Sequence, residues 1–140
     1  MHEIEPRPYG PVLTREEEET LRAQVTLLAP DIICWHEAPV PSTFQLDVYA
    51  KKLDELARML DGYFLMLDLS NTVRPGPSIL AHLRVIVADM IKPRHAAVVT
   101  GKYFILSVAV KFVMARVGFN SFSIYRTREV ALEAIERKRH

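Results

Sequence analysis

Apolar positions along this chain alternate between two spacings. Residues 63–69 (YFLMLDL) and 96–100 (AAVVT) are nearly continuous apolar runs, which is the pattern of strands covered on both faces. Residues 78–91 instead place Ile79, Leu83, Ile86, Val87 and Met90 at helical spacing, with His82 and Asp89 toward solvent. A helix over about 43–60 carries the stripe Val48, Tyr49, Leu53, Leu56 and Leu60, backed by Lys51, Lys52, Asp54, Glu55 and Arg58. Residues 24–28 and 32–37 read as two strands joined as a hairpin at Ala29-Pro30-Asp31. A short strand at 122–125 is followed by a last helix, capped by Thr127, with Val130, Ala131, Ala134 and Ile135 on one face.

The punctuation agrees with these periods. Gly62, Gly76, Gly101 and Gly118 fall at element boundaries, and Pro93 ends the helix before it. Ser42 with Gln45 forms a capping-box signature, as does Thr14 with Glu17, which opens a short acidic helix through about residue 21. Residues 1–13, holding Pro6, Pro8 and Pro11, read as irregular. The chain therefore divides into an N-terminal arm (1–20) and one domain (21–140). The alternation predicts an α/β fold: a mixed sheet of about five strands with about four helices, the first two strands antiparallel and the rest joined by helical crossovers. Its expected core includes Ile33, Trp35, Leu53, Leu56, Leu65, Leu67, Leu83, Ile86, Val98 and Ile124.

Residues 103–117 are the hard case. Their valines favour a strand, but the length and the framing by Gly101 and Gly118 favour a helix. In a helix, Phe104, Ile105, Leu106, Val108, Val110, Phe112, Val113, Met114 and Val117 exceed what one buried stripe holds. Either another protein surface covers the remainder, as a homodimer or a protein partner, or the arm at 4–13 roofs it.

Composition narrows the classes. With 140 residues, 49% hydrophobic and 25% charged, the chain suits a single soluble globular domain. A net charge of +1 gives no field for nucleic acid. The basic cluster Arg137–His140 reads as a frayed, solvated tail, and the lone Cys34 as core rather than a nucleophile. No basic segment followed by an apolar run marks a leader, and the apolar stretch at 103–117, broken by Ser107, Lys111 and Arg116, is too short to cross a bilayer. The expectation is a cytoplasmic protein without an integral membrane segment.

No nucleophile elbow, phosphate loop, dinucleotide fingerprint or paired metal-ligand motif is present, and the histidines are scattered; neither metal nor cofactor is expected. Asp68, at the C-terminal end of a buried strand, is the leading site candidate, because crevices in α/β sheets open at those ends. Ser70, Thr72, Arg74 and Ser78 are near it in sequence, and Arg74 is suited to receive an anion. The plainer reading is that Asp68 caps loop N–H groups and Arg74 is solvated. His82, one helical turn after Ser78, could serve as a base, but no third group orients the pair, so an enzyme is not the expected reading.

The order of elements, together with three local patterns, resembles the STAS fold and within it the SpoIIAA-like relatives of anti-sigma factor antagonists. These patterns are the strand ending Leu67-Asp68-Leu69-Ser70, the loop leading to Pro77-Ser78-Ile79-Leu80, and Val117-Gly118-Phe119 followed by residues 122–132 (FSIYRTREVAL). The resemblance spans about 24–138. It implies a non-enzymatic regulatory or protein-interaction module whose partner face is the loop after Asp68 and the helices that follow. It also places Ser78 at the serine that the family's antagonists phosphorylate, although Gly76 and Ile79 stand where that motif has Asp and Gly. Ser78 thus stays open between helix cap, phosphosite and ligand contact. The resulting candidate ligand- or partner-binding residues are Asp68, Ser70, Arg74, Ser78 and His82. The alternative class is a carrier of a small apolar ligand or lipid, which a closed apolar cavity between sheet and helices would favour.

Overall fold

The computed structural model describes residues 13–37, 42–72, 76–102 and 104–139. The elements run α1 (Arg15–Arg22), β1 (Val25–Ala29), β2 (Ile32–His36), α2 (Thr43–Arg58), β3 (Phe64–Asp68), α3 (Pro77–Asp89), β4 (His95–Val99), α4 (Phe104–Val117), β5 (Phe122–Tyr125) and α5 (Arg128–Arg139). The strands form one sheet in the order β1-β2-β3-β4-β5; β1 is antiparallel to β2, and the other pairs are parallel. The α/β class, the mixed five-stranded sheet, the hairpin and the helical state of 104–117 follow the sequence expectation. Five helices stand among the described residues: the four or so expected of the domain and the short acidic one expected after Thr14.

Local chemistry sets the element ends. Thr14 makes the full capping box: its hydroxyl accepts from Glu17 N at 3.1 Å, and Glu17 Oε1 accepts from Thr14 N at 3.0 Å. Ser42 makes half of one, accepting from Gln45 N, while the Gln45 amide turns inward to donate to Tyr49 Oη at 2.8 Å. α4 lies between Gly101 and Gly118, whose φ values of 65° and 71° an L side chain adopts only with strain.

Because strand side chains alternate, the sheet builds two cores. Ile33, Trp35, Leu65 and Ala96 point to the face covered by α2 and α3, where Leu46, Tyr49, Leu53 and Ile86 meet them. Val98 continues this face beneath Val110 and Met114 of α4. Ile32, Cys34, Phe64, Met66, Ala97 and Val99 point the other way, against Ala131 and Ile135 of α5. α2, α3 and α4 share one face because each connects a strand to its next parallel neighbour in a single direction across the sheet. Of the expected core, Leu56, Leu67, Leu83 and Ile124 are only half-buried.

Three expectations need correction. α3 starts at Pro77 with Gly76 as its N-cap and no side-chain cap bond, so Ser78 sits exposed inside the first turn and does not cap the helix. Arg137, Lys138 and Arg139 are not a frayed tail but the last turn of α5, with Arg139 bound to Asp31 and Glu136; His140 lies outside the described residues. Finally, α1 docks on α2 and buries Leu21, so the boundary drawn at residue 20 cuts a helix that belongs to the domain.

Candidate functional site

Asp68 is the last residue of β3 and only 1% exposed. Strand parity turns its side chain to the α5 face, away from α3 and α4. Oδ1 accepts from Ser70 N at 3.0 Å and from Ser70 Oγ at 2.6 Å, tightening the turn after the strand. Oδ2 lies 3.1 Å from His36 Nδ1 and 3.7 Å from Arg128 Nε. His36 closes β2 in register with Asp68, and Arg128 opens α5, so one carboxylate ties two strand ends to the helix that covers them. A buried charge is tolerated only when it is paired and fully hydrogen-bonded, as here. Arg128 Nη2 also approaches Cys34 Sγ at 3.9 Å; burial raises the thiol's pKa more than Arg128 lowers it, with Asp68 adding to the rise.

The candidate residues therefore do not converge. Asp68 and Ser70 meet each other on the α5 face. His82 is half-buried rather than in solvent, and its Nε2 meets Asp47 Oδ1 of α2 at 2.6 Å, while Ser78 stays exposed. Arg74, with its loop neighbours Val73 and Pro75, lies outside the described residues. His36 and Arg128, which complete the Asp68 cluster, were missed because they stand 32 and 60 positions from Asp68 and no motif links them. Only the parity of β2, which puts His36 on Asp68's face, signals the first of them. Thr72 is buried beyond that turn.

The Asp68 carboxylate accepts from His36 Nδ1 and so fixes the orientation of the ring. That is the geometry of a base, but Ser70 Oγ donates to Asp68 and not to His36. The described residues hold no cluster of three or more His, Cys, Asp or Glu side chains suited to a metal ion. The chemistry of the cluster is that of a clasp.

Two features lie on the opposite side of the sheet. An apolar cavity of about 90 Å³ separates Trp35, Leu65 and Leu67 of the sheet from Leu83, Ile86 and Val87 of α3 and Val110, Val113 and Met114 of α4. Glu37, Thr72 and Lys92 are polar members of its lining; Glu37 is buried and accepts from Trp35 Nε1 at 3.2 Å. On the outside of α4, Phe104 is 79% exposed, with Ile105 at 44%, Val108 at 48% and Phe112 at 45%. Arg116 lies over the Phe112 ring at 5.2 Å, and α4 has no acidic residue. No described helix is long and apolar enough to cross a membrane. No family model, curated protein or solved structure matches this chain.

Proposed function

We propose that this chain is a non-enzymatic, STAS-like regulatory module that works by docking a protein surface on the outer side of α4, the occupant being a second copy of itself. The exposed row Phe104, Ile105, Val108 and Phe112 carries this reading. At roughly 200 Å² for a large apolar side chain, the row leaves about 400 Å² open, the size of the largest patch on ordinary monomers and often a functional one. A standard interface takes about 800 Å² from each partner, somewhat over half of it apolar, so the row supplies nearly the whole apolar part. Shielding it on two copies contributes on the order of 20 kcal/mol, against about 4–15 kcal/mol lost on association. The order of elements from β1 to α5 supports the STAS resemblance, and Ser78, exposed at the start of α3, is accessible to a kinase.

The cavity supports a second reading, the carrier of a small apolar ligand. Its 90 Å³ falls short of the roughly 300–1,000 Å³ of ligand sites, so a lipid would require α3 and α4 to lift from the sheet. The module is therefore the first reading.

Light scattering on the intact chain tests it. A dimer is expected at micromolar concentration, and Phe112→Glu or Val108→Glu should give a folded monomer. A wild-type chain that stays monomeric at every concentration would sink the reading.

A further inference from the structure

The turn chemistry and the run of α5 bring a set of cations to the N-terminal ends of the strands, the edge opposite Asp68. α5 is 12 residues long, about 18 Å, and runs back beneath the sheet so that its last turn arrives beside β3 and β4. There Lys138 and Arg139 face Arg94, His95 and Ser121 around a polar pocket of about 570 Å³, with Phe64 and Asp31 completing its lining.

Asp31 Oδ2 accepts from Arg139 Nε at 3.1 Å, and Glu136 accepts from Arg139 Nη1 at 2.7 Å, so that guanidinium is neutralised and held as a wall. Arg94 is held differently: its Nη2 donates to the Asp61 carbonyl at 2.8 Å, and the guanidinium packs where a side chain at position 62 would otherwise stand. A Cβ on Gly62 would lie 2.4 Å from Arg94 Nε, and the glycine's φ of 82° excludes most other residues as well. Neither Arg94 nor Lys138 has a carboxylate in ion-pairing range among the described residues; with Arg139 counted against Asp31 and Glu136, the cluster keeps a net charge of +1. His95 Nε2 lies 3.1 Å from Ser123 Oγ. Its pKa is lowered, first by burial and then by the Lys138 charge, consistent with a positive local potential.

The geometry points to an anion site here: Arg94 and Lys138 clamp a phosphate group, with His95 and the Ser121 hydroxyl as neutral hydrogen-bonding neighbours. A guanidinium offers a planar fork and an ammonium a point charge, the pair that recognises a tetrahedral oxyanion. The pocket has room for a phosphate group and opens to solvent, where the rest of a phosphate ester would extend. The C-terminal end of α5 and the Asp31 carboxylate oppose an anion; the first is a partial charge and the second is already bound by Arg139. A soluble phosphate ester and a lipid phosphate share this chemistry.

The test uses the full chain, inorganic phosphate and pyrophosphate, read by calorimetry and by the His95 ring proton signals at fixed pH. Saturable binding that moves the His95 signals is expected, tighter for pyrophosphate. Lys138→Gln, which breaks no hydrogen bond or ion pair among the described residues, and Arg94→Gln should each weaken it about tenfold, the loss of one charged hydrogen bond, while Lys51→Gln on α2 leaves it unchanged. Co-sedimentation with phosphatidic acid vesicles, lost in Lys138→Gln, assigns the site to a lipid headgroup; binding of the soluble anions alone assigns it to a metabolite. A His95 signal that never saturates, or binding indifferent to both substitutions, overturns the site.

Discussion

Asp68 shows how a single side chain can be legible in type and illegible in partners. Its place at the end of a buried strand and its capping of the Ser70 amide can be read from the local sequence. Its pairing with His36 and Arg128 cannot, since it depends on the register of β2 on β3 and on where α5 begins. The clasp makes a quantitative prediction. Asp68→Ala should cost about 2–3 kcal/mol in urea unfolding, the scale of lost hydrogen bonds to a charged group, because His36 and Arg128 can fall back on water. A cost below 0.5 kcal/mol would mean the cluster is decorative. Tyr63 makes a second prediction. Its hydroxyl donates to the Ile91 carbonyl, and its pKa is raised, mainly by burial and secondarily by Asp54. The unfolded chain therefore ionises this group first, so the associated stability is complete below about pH 10 and is lost as pH rises above it. Tyr63→Phe should flatten that alkaline decline in the urea midpoint; an unchanged slope would assign the loss to other groups.

Among the elements, α4 shows most clearly what periodicity can and cannot decide. The excess of apolar residues was visible, and so was the consequence that one stripe cannot bury them all. Which residues face inward was not visible, because a helix apolar on nearly every side carries no amphipathic signal. The structure buries Leu106, Val110, Val113 and Met114 and leaves Phe104, Ile105, Val108 and Phe112 outside. Thermal or urea unfolding of the monomer should separate the two rows. Leu106→Ala should cost about 2–5 kcal/mol, whereas Phe104→Ala should cost less than about 0.5 kcal/mol. The charges make a further prediction. α4–α4 pairing brings Lys111 and Arg116 of both copies together with no acid from α4 to offset them. Dimerisation should therefore tighten as salt screens the repulsion, opposite to an interface held by ion pairs.

Taken whole, the molecule has one sheet and two unequal layers. The α5 layer is locked by Asp68 at one end and Arg139 at the other. The α3–α4 layer leaves a cavity whose 90 Å³, at about 24 cal/mol per Å³, forfeits on the order of 2 kcal/mol. Ala109, half-buried on the cavity wall, offers a way to recover part of this. Ala109→Val should raise the melting temperature by a few degrees if the void is a packing defect; a lower value would mean that the cavity is too small or too rigid to accept a methyl group. The antiparallel first pair and the helical crossovers between the remaining strands were legible from alternation and turn signals, whereas the strand order was not. Nor was the void, because it depends on side-chain volumes meeting across layers that the sequence does not bring together. The partner face is in the same position: five residues close in sequence were assigned to one site, and strand parity and helix rotation send those described to three different surroundings.

The central claim, that α4 presents a docking face occupied by a second copy, is tested most directly by hydroxyl-radical footprinting across a wide range of protein concentration. Oxidation of Phe104 and Phe112 should fall as the concentration rises, while exposed Met59 on the far end of α2 stays equally reactive. Equal oxidation of Phe104 and Phe112 at every concentration, or protection that appears first at Met59, would contradict it.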